Sequence, residues 1–140
     1  MKQIDKKGKN NQIGAYGEEI AGNYLTNKGF LILERNFLKK WGEIDLVARE
    51  TTKNGPIVHF VEVKAVSYET KQALATAVSR GIWRPEENVH SKKLLRLHRA
   101  IESWLIENDY KGEWQVDVAA VRLVPREKFA SIKLLDNIIM

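Results

Sequence analysis

One pair of segments constrains the fold more than any other. Residues 44–48 and 57–63 are short runs dense in β-branched and large apolar side chains, and the stretch between them contains Asn54-Gly55-Pro56, a strong turn signal. Two strands joined in a hairpin follow. An apolar run at residues 30–37 reads as a strand ahead of them, with a basic turn at Lys39 and Lys40. Ile13, Tyr16, Ile20, Ala21, Tyr24 and Leu25 recur at helical spacing over residues 11–27, and Gly29 closes that helix. Leu94, Leu97, Ile101, Trp104 and Leu105 do the same over residues 89–107, ended by Gly112. Residues 114–124 read as another strand, stopped by Pro125, and residues 132–139 add a short one. Between the third strand and the second long helix, residues 67–88 read as a partly helical insertion, because Gly81 and Pro85 break the helix that residues 71–78 could start. The order helix, three strands, helix, strand predicts an α/β domain with a central sheet flanked by helices.

A chain of 140 residues fits one domain, and 44% hydrophobic with 29% charged residues suits an ordinary globular core. Residues 1–10 are polar and lysine-rich and read as a flexible basic arm, leaving residues 11–140 as the single folded domain. The absence of cysteine excludes disulfides, thiolate zinc sites and a thiol nucleophile, and fits a reducing compartment, so the cytoplasm is the expected location. No apolar run has the length of a signal peptide core or a membrane span, and no membrane partner is expected. Of the net charge of +5, Lys2, Lys6, Lys7 and Lys9 against Asp5 place +3 in the first ten residues. That excess suits a nucleic-acid partner, although a solvated basic tail explains it equally well.

The chemistry concentrates in the hairpin. Glu43 and Asp45 lie on its first strand and Glu62 and Lys64 at the end of its second, each pair sharing a face because side chains alternate along a strand. In-register pairing would gather three carboxylates and an ammonium in one patch. Asp45 and Glu62 can then supply oxygen ligands to Mg²⁺ or Mn²⁺, while a neighbouring lysine orients or deprotonates the attacking water. Taken alone, Glu62 and Lys64 are an ordinary exposed acid and base; their place at the end of the apolar run Phe60-Val61-Glu62-Val63-Lys64 favours a site. On the first helix Glu18 falls about 20° from Leu25, at the edge of the apolar arc, and is the acid placed to reach the metal as a further catalytic group and ligand. Glu19 points away. The alternative for Glu18 is an acid matched to the helix dipole.

Lys92, Arg96 and Arg99 share one face of the second long helix and form a candidate phosphate-contacting ridge, with a solvated face as the alternative. Lys93 stands apart from that ridge. Arg80, Trp83 and Arg84, in the insertion, add a candidate stacking and basic contact to nucleic acid, with a core tryptophan as the alternative. The histidines at 59, 90 and 98 have no zinc-motif spacing and no cysteine partners, so no zinc site is expected, and His59 reads as structural.

Gly14-x-x-Gly17-Glu18, Gly29-Phe30, Arg35-Asn36, Gly42-Glu43-Ile44-Asp45-Leu46, Phe60-Val61-Glu62-Val63-Lys64 and Val116-Asp117-Val118 together resemble the YraN-like family, small bacterial proteins of largely unassigned function. That family is similar to Holliday-junction resolvases of the PD-(D/E)XK group, and the resemblance spans roughly residues 11–124. It implies a restriction-endonuclease-like core with a mixed sheet and a metal-dependent active site. By motif match Asp45 takes the place of the metal-binding aspartate, Glu62 and Lys64 those of the (D/E)XK pair, and Glu18 that of the acid on the first helix. Lys93 matches a lysine opening the family's second helix, and so is expected to touch the scissile phosphate or its neighbour. Where many such nucleases have Pro-Asp this chain has Gly-Glu-Ile-Asp, making Glu43 either an added ligand or a partner of one.

The reading that follows is a Mg²⁺- or Mn²⁺-dependent endonuclease acting on DNA, duplex or branched, and dimeric as resolvases are. RNA stays open as a substrate. The rival is a binding module that keeps the fold to grip branched nucleic acid in repair or recombination without cutting it. A protein-interaction domain built on Trp83 and the insertion ranks last.

Overall fold

The computed structural model describes residues 6–80 and 91–138, and the side chains of residues 12–80 and 93–138. Helix α1 (Lys6–Asn27) precedes three strands, β1 (Leu31–Lys39), β2 (Gly42–Thr52) and β3 (Gly55–Ser67). Helices α2 (Lys71–Arg80) and α3 (Ser91–Glu107) lead to β4 (Glu113–Val124) and β5 (Phe129–Leu135). The sheet runs β1-β2-β3-β4-β5. β3 and β4 are parallel and every other neighbouring pair is antiparallel. The parallel pair follows from the long helical crossover between β3 and β4, since parallel neighbours cannot be joined by a tight turn. This is the α/β architecture that the element order predicts, with the mixed sheet that the family resemblance implies.

The boundaries differ from the periodicity in instructive ways. α1 starts at Lys6, five residues ahead of Asn11: Lys6, Lys7 and Lys9 are adequate helix formers, and no proline interrupts the run, although Gly8 and Asn10 weaken it. β1 and β2 run past their apolar runs, to Lys39 and from Gly42, because the ladder continues through polar residues down to Lys39↔Gly42. β5 begins at Phe129, earlier than residue 132, after a 3-10 turn at Pro125–Glu127 whose following residue, Lys128, takes the left-handed conformation (φ 52°). The insertion holds α2, capped by Thr70 Oγ1 accepting from the Ala73 N–H at 3.0 Å.

Each face of the sheet has its own core. On one, Phe37, Ile44, Val47, Val58, Phe60 and Val116 pack with Leu97, Ala100, Ile101 and Trp104 of α3. On the other, Leu46, Ala48, Val61, Ala119, Val121 and Leu123 pack with Ala21 and Leu25 of α1. Two glycines let the helices close on the sheet. A Cβ at Gly17 would lie 2.6 Å from the Ala65 Cβ, and one at Gly42 only 2.1 Å from the Arg96 carbonyl oxygen. Gly42→Ala is therefore expected to lose on the order of 2 kcal/mol or more in a denaturant melt, since a backbone atom must move. Gly14→Ala, with nothing within 4 Å of its new methyl, should instead gain about 0.5–1 kcal/mol of helix propensity. Equal effects at the two positions would contradict this account of the packing.

Candidate metal and nucleic-acid site

The β2–β3 ladder pairs residues from Thr52↔Gly55 to Leu46↔Val61. Asp45 is the next residue of β2. Around it the strand departs from strict alternation, since Ile44 belongs to the core under α3 while Leu46 belongs to the core under α1. Side chains two apart should share a face, so Asp45 sits at an irregularity in the pleat. Its Oδ2 accepts from the Val63 N–H at 2.8 Å, which gives that amide a side-chain partner where the ladder stops. Burial pushes the Asp45 carboxyl up to about 8, helped by the nearby Glu62, Glu18 and Glu43 charges and opposed by the Val63 N–H.

Glu62 lies between Val61 and Val63, which pack toward α1, so it faces the other side of the sheet, where α3 begins. There its Oε1 meets the Lys93 Nζ at 2.6 Å and the Lys64 Nζ at 3.5 Å. The Glu62 side chain is only 6% exposed, so this carboxylate is neutralised by ammonium groups rather than by water. Lys64 has its pKa lowered, by burial first and by its hydrogen bond with Lys93, against the attraction of Glu62. For Lys93 burial also disfavours the charge, but its contacts with Glu62 and Lys64 outweigh it and raise the pKa. The proton thus rests more firmly on Lys93 than on Lys64.

Glu18 comes from α1, one residue after the close approach at Gly17. Burial raises its pKa, and the Glu43 and Glu62 charges add to that, against hydrogen bonds with Asn36 and Asp45. Asn36, on β1 with φ 51°, is a contributor that periodicity does not single out. Its signal was the Arg35-Asn36 pair together with the tolerance of asparagine for left-handed backbone. Glu43 is exposed at the rim.

The sequence candidates therefore separate. Asp45, Glu62, Glu18 and Glu43 lie near enough for their charges to act on Asp45 and Glu18, and Lys64 contacts Glu62 at 3.5 Å. Lys93, set apart from the basic ridge by its helical angle, joins the carboxylates through Glu62. Arg96 and Arg99 are exposed on α3. The Lys92 side chain, and Trp83 and Arg84 altogether, lie outside the described residues. As a donor set, neighbouring carboxylates suit a hard divalent cation, which would relieve their mutual repulsion, but among the described residues no three of their oxygens converge within 4.8 Å, so a bound ion would have to draw them together.

The model of the uncharacterised protein family UPF0102 matches residues 17–121, a stretch that includes the whole cluster. The chain belongs to this family. It is the YraN-like family that the motifs resemble. A UPF0102 protein of Beutenbergia cavernae is 42% identical over 110 residues, covering 78% of this chain and 80% of its own. One from Alkaliphilus oremlandii is 36% identical over 131 residues, covering 91% and 97%. One from Campylobacter lari is 34% identical over 125 residues, covering 89% and 91%. Among the described residues no helix is long and apolar enough to cross a membrane.

Proposed function

We propose that this UPF0102 protein is a divalent-metal-dependent endonuclease that hydrolyses phosphodiester bonds in DNA. The observation that carries the reading is that Asp45, at the end of the β2–β3 ladder, is held near 8 by burial and by the neighbouring Glu62, Glu18 and Glu43 charges, with Lys64 3.5 Å from Glu62. Asp45 and Glu62 would hold Mg²⁺ or Mn²⁺, with Glu18, steadied by Asn36, completing the set directly or through water. When bound, the cation supplies Lewis acidity and a low-pKa water. Lys64, with its lowered pKa, would orient the attacking water and accept or share its proton. Lys93, paired with Glu62, would bring its charge to the phosphate, and Arg96 and Arg99 would offer backbone contacts along α3.

The reading is tested by incubating protein with labelled duplex, flap and four-way-junction DNA, and a single-stranded RNA, in Mg²⁺, Mn²⁺ or EDTA, and resolving the products on a denaturing gel. Cutting that requires metal ion supports it and ranks the substrates. Tight binding without cutting would shift the reading to a non-catalytic module on the same fold. Arg96→Ala and Arg99→Ala should each weaken DNA binding across sequences and lower the salt slope by about one. An unchanged slope in the double variant would remove α3 from the DNA contact.

A further inference from the structure

We infer that His59, Asp117 and Asp136 form a second cation site, for a divalent transition ion of the zinc class. His59 stands three residues before Glu62 on β3 and packs against Phe30, with ring centroids 4.9 Å apart. Its side chain points to the α1 side of the sheet, away from Glu62. Asp117 is on β4 and Asp136 follows β5, yet one ligand atom from each of the three lies within 4.8 Å of the others.

Four observations make this more than a group of acids. The donor set is mixed, and an imidazole with carboxylates suits Zn²⁺, Mn²⁺ or Co²⁺ better than Mg²⁺. Asp117 is fully buried and already oriented: its Oδ1 accepts from Gln115 Nε2 and from the Asn137 N–H, each at 2.9 Å, and its Oδ2 faces His59 Nδ1 at 2.6 Å. The same Gln115 amide also donates to Asp136 Oδ1. The other imidazole nitrogen, Nε2, lies 3.0 Å from Glu50 Oε1, and metal-bound histidines characteristically give their second N–H to such a carboxylate. Finally, Glu50, His59 and Asp136 line a cavity of about 600 Å³ that gives an entry path.

Two ligand atoms on one such ion stand roughly 3 Å or more apart, for bonds of about 2.0–2.1 Å. Binding therefore releases the Nδ1 proton and opens the His59–Asp117 pair slightly, with Asp136, exposed after the last strand, closing on the ion. The consequence is mechanical. The ion pins the segment after β5, whose Ile138 N–H already donates to the Val116 carbonyl at 2.6 Å, to β3 and β4.

The test uses untagged protein treated with chelator, equilibrated with Zn²⁺, passed through gel filtration and assayed for metal content, with calorimetry for affinity. Wild type and Asp45→Asn should each retain one zinc ion per chain. Asp136→Asn should bind on the order of 100-fold more weakly, and Glu50→Gln roughly 10-fold. Zinc should raise the melting temperature of wild type and not that of Asp136→Asn. His59→Gln should also lose the ion, but it is buried, so the exposed Asp136 carries the decision if that variant fails to fold. No zinc on wild type, or zinc lost with Asp45→Asn and kept with Asp136→Asn, would overturn the assignment. Neither result bears on DNA cleavage.

Discussion

Asp45→Asn is expected to stabilise the protein at pH 8 while abolishing cleavage. The carboxyl is held up at about 8, by burial first and then by Glu62, whereas in the unfolded chain it titrates near the ordinary value of about 3.9. Between those values the folded protein binds a proton that the unfolded chain has released, so stability falls as pH rises. Below about pH 4 both states are protonated and the contribution is fully present; by about pH 9 it is gone. Coupling of Asp45 to its neighbours discounts this to on the order of 3 kcal/mol at Asp45 itself. The side-chain amide that replaces the carboxyl can still accept from the Val63 N–H through its oxygen, so in Mg²⁺-free buffer the variant should melt roughly 5–10 °C higher at pH 8, with the gap closing toward pH 4. Mg²⁺ should stabilise wild type and not the variant. A gap that is the same at both pH values would remove Asp45 as the group responsible.

Lys64→Ala is expected to lower single-turnover cleavage on the order of 10³-fold with DNA affinity within about threefold of wild type. Its ammonium is destabilised by burial and by the hydrogen bond with Lys93, against Glu62. If Lys64 takes the proton of the attacking water, the wild-type rate climbs with pH as Lys64 loses its own. Lys64→Arg, which keeps charge and cannot titrate, should lack that limb. Cleavage by Lys64→Ala at the wild-type rate would end the assignment of Lys64 to the chemistry.

Much of this molecule was legible because its elements carry strong local patterns. The hairpin declared itself through β-branched runs around Asn54-Gly55-Pro56, and α3 through the spacing of Leu97, Ile101 and Trp104, which the core under that helix uses as expected. Glu62 and Lys64 could be paired from alternation alone. The irregularity at Asp45 could not, because a break in the pleat depends on where the ladder to β3 stops, and that is a property of two strands together. Lys93 was set apart by its helical angle from Lys92, Arg96 and Arg99; its partner, Glu62, lies on another element, which no one-helix projection contains. The same holds for His59, Asp117 and Asp136. No spacing rule joins residues brought together by a parallel crossover and a closing hairpin, so His59 read as an ordinary structural histidine.

The central claim, that the carboxylates around Asp45 hold a catalytic cation, is tested most directly with Glu62→Gln. Its cleavage in Mg²⁺ and its DNA binding in Ca²⁺ would be compared with wild type on the best substrate of the gel survey. Wild type should cut in Mg²⁺ and stop in EDTA, while Glu62→Gln binds with similar affinity and leaves the DNA intact. Cutting by Glu62→Gln at the wild-type rate, or a wild type that binds DNA and cuts none of it in Mg²⁺ or Mn²⁺, would contradict the account.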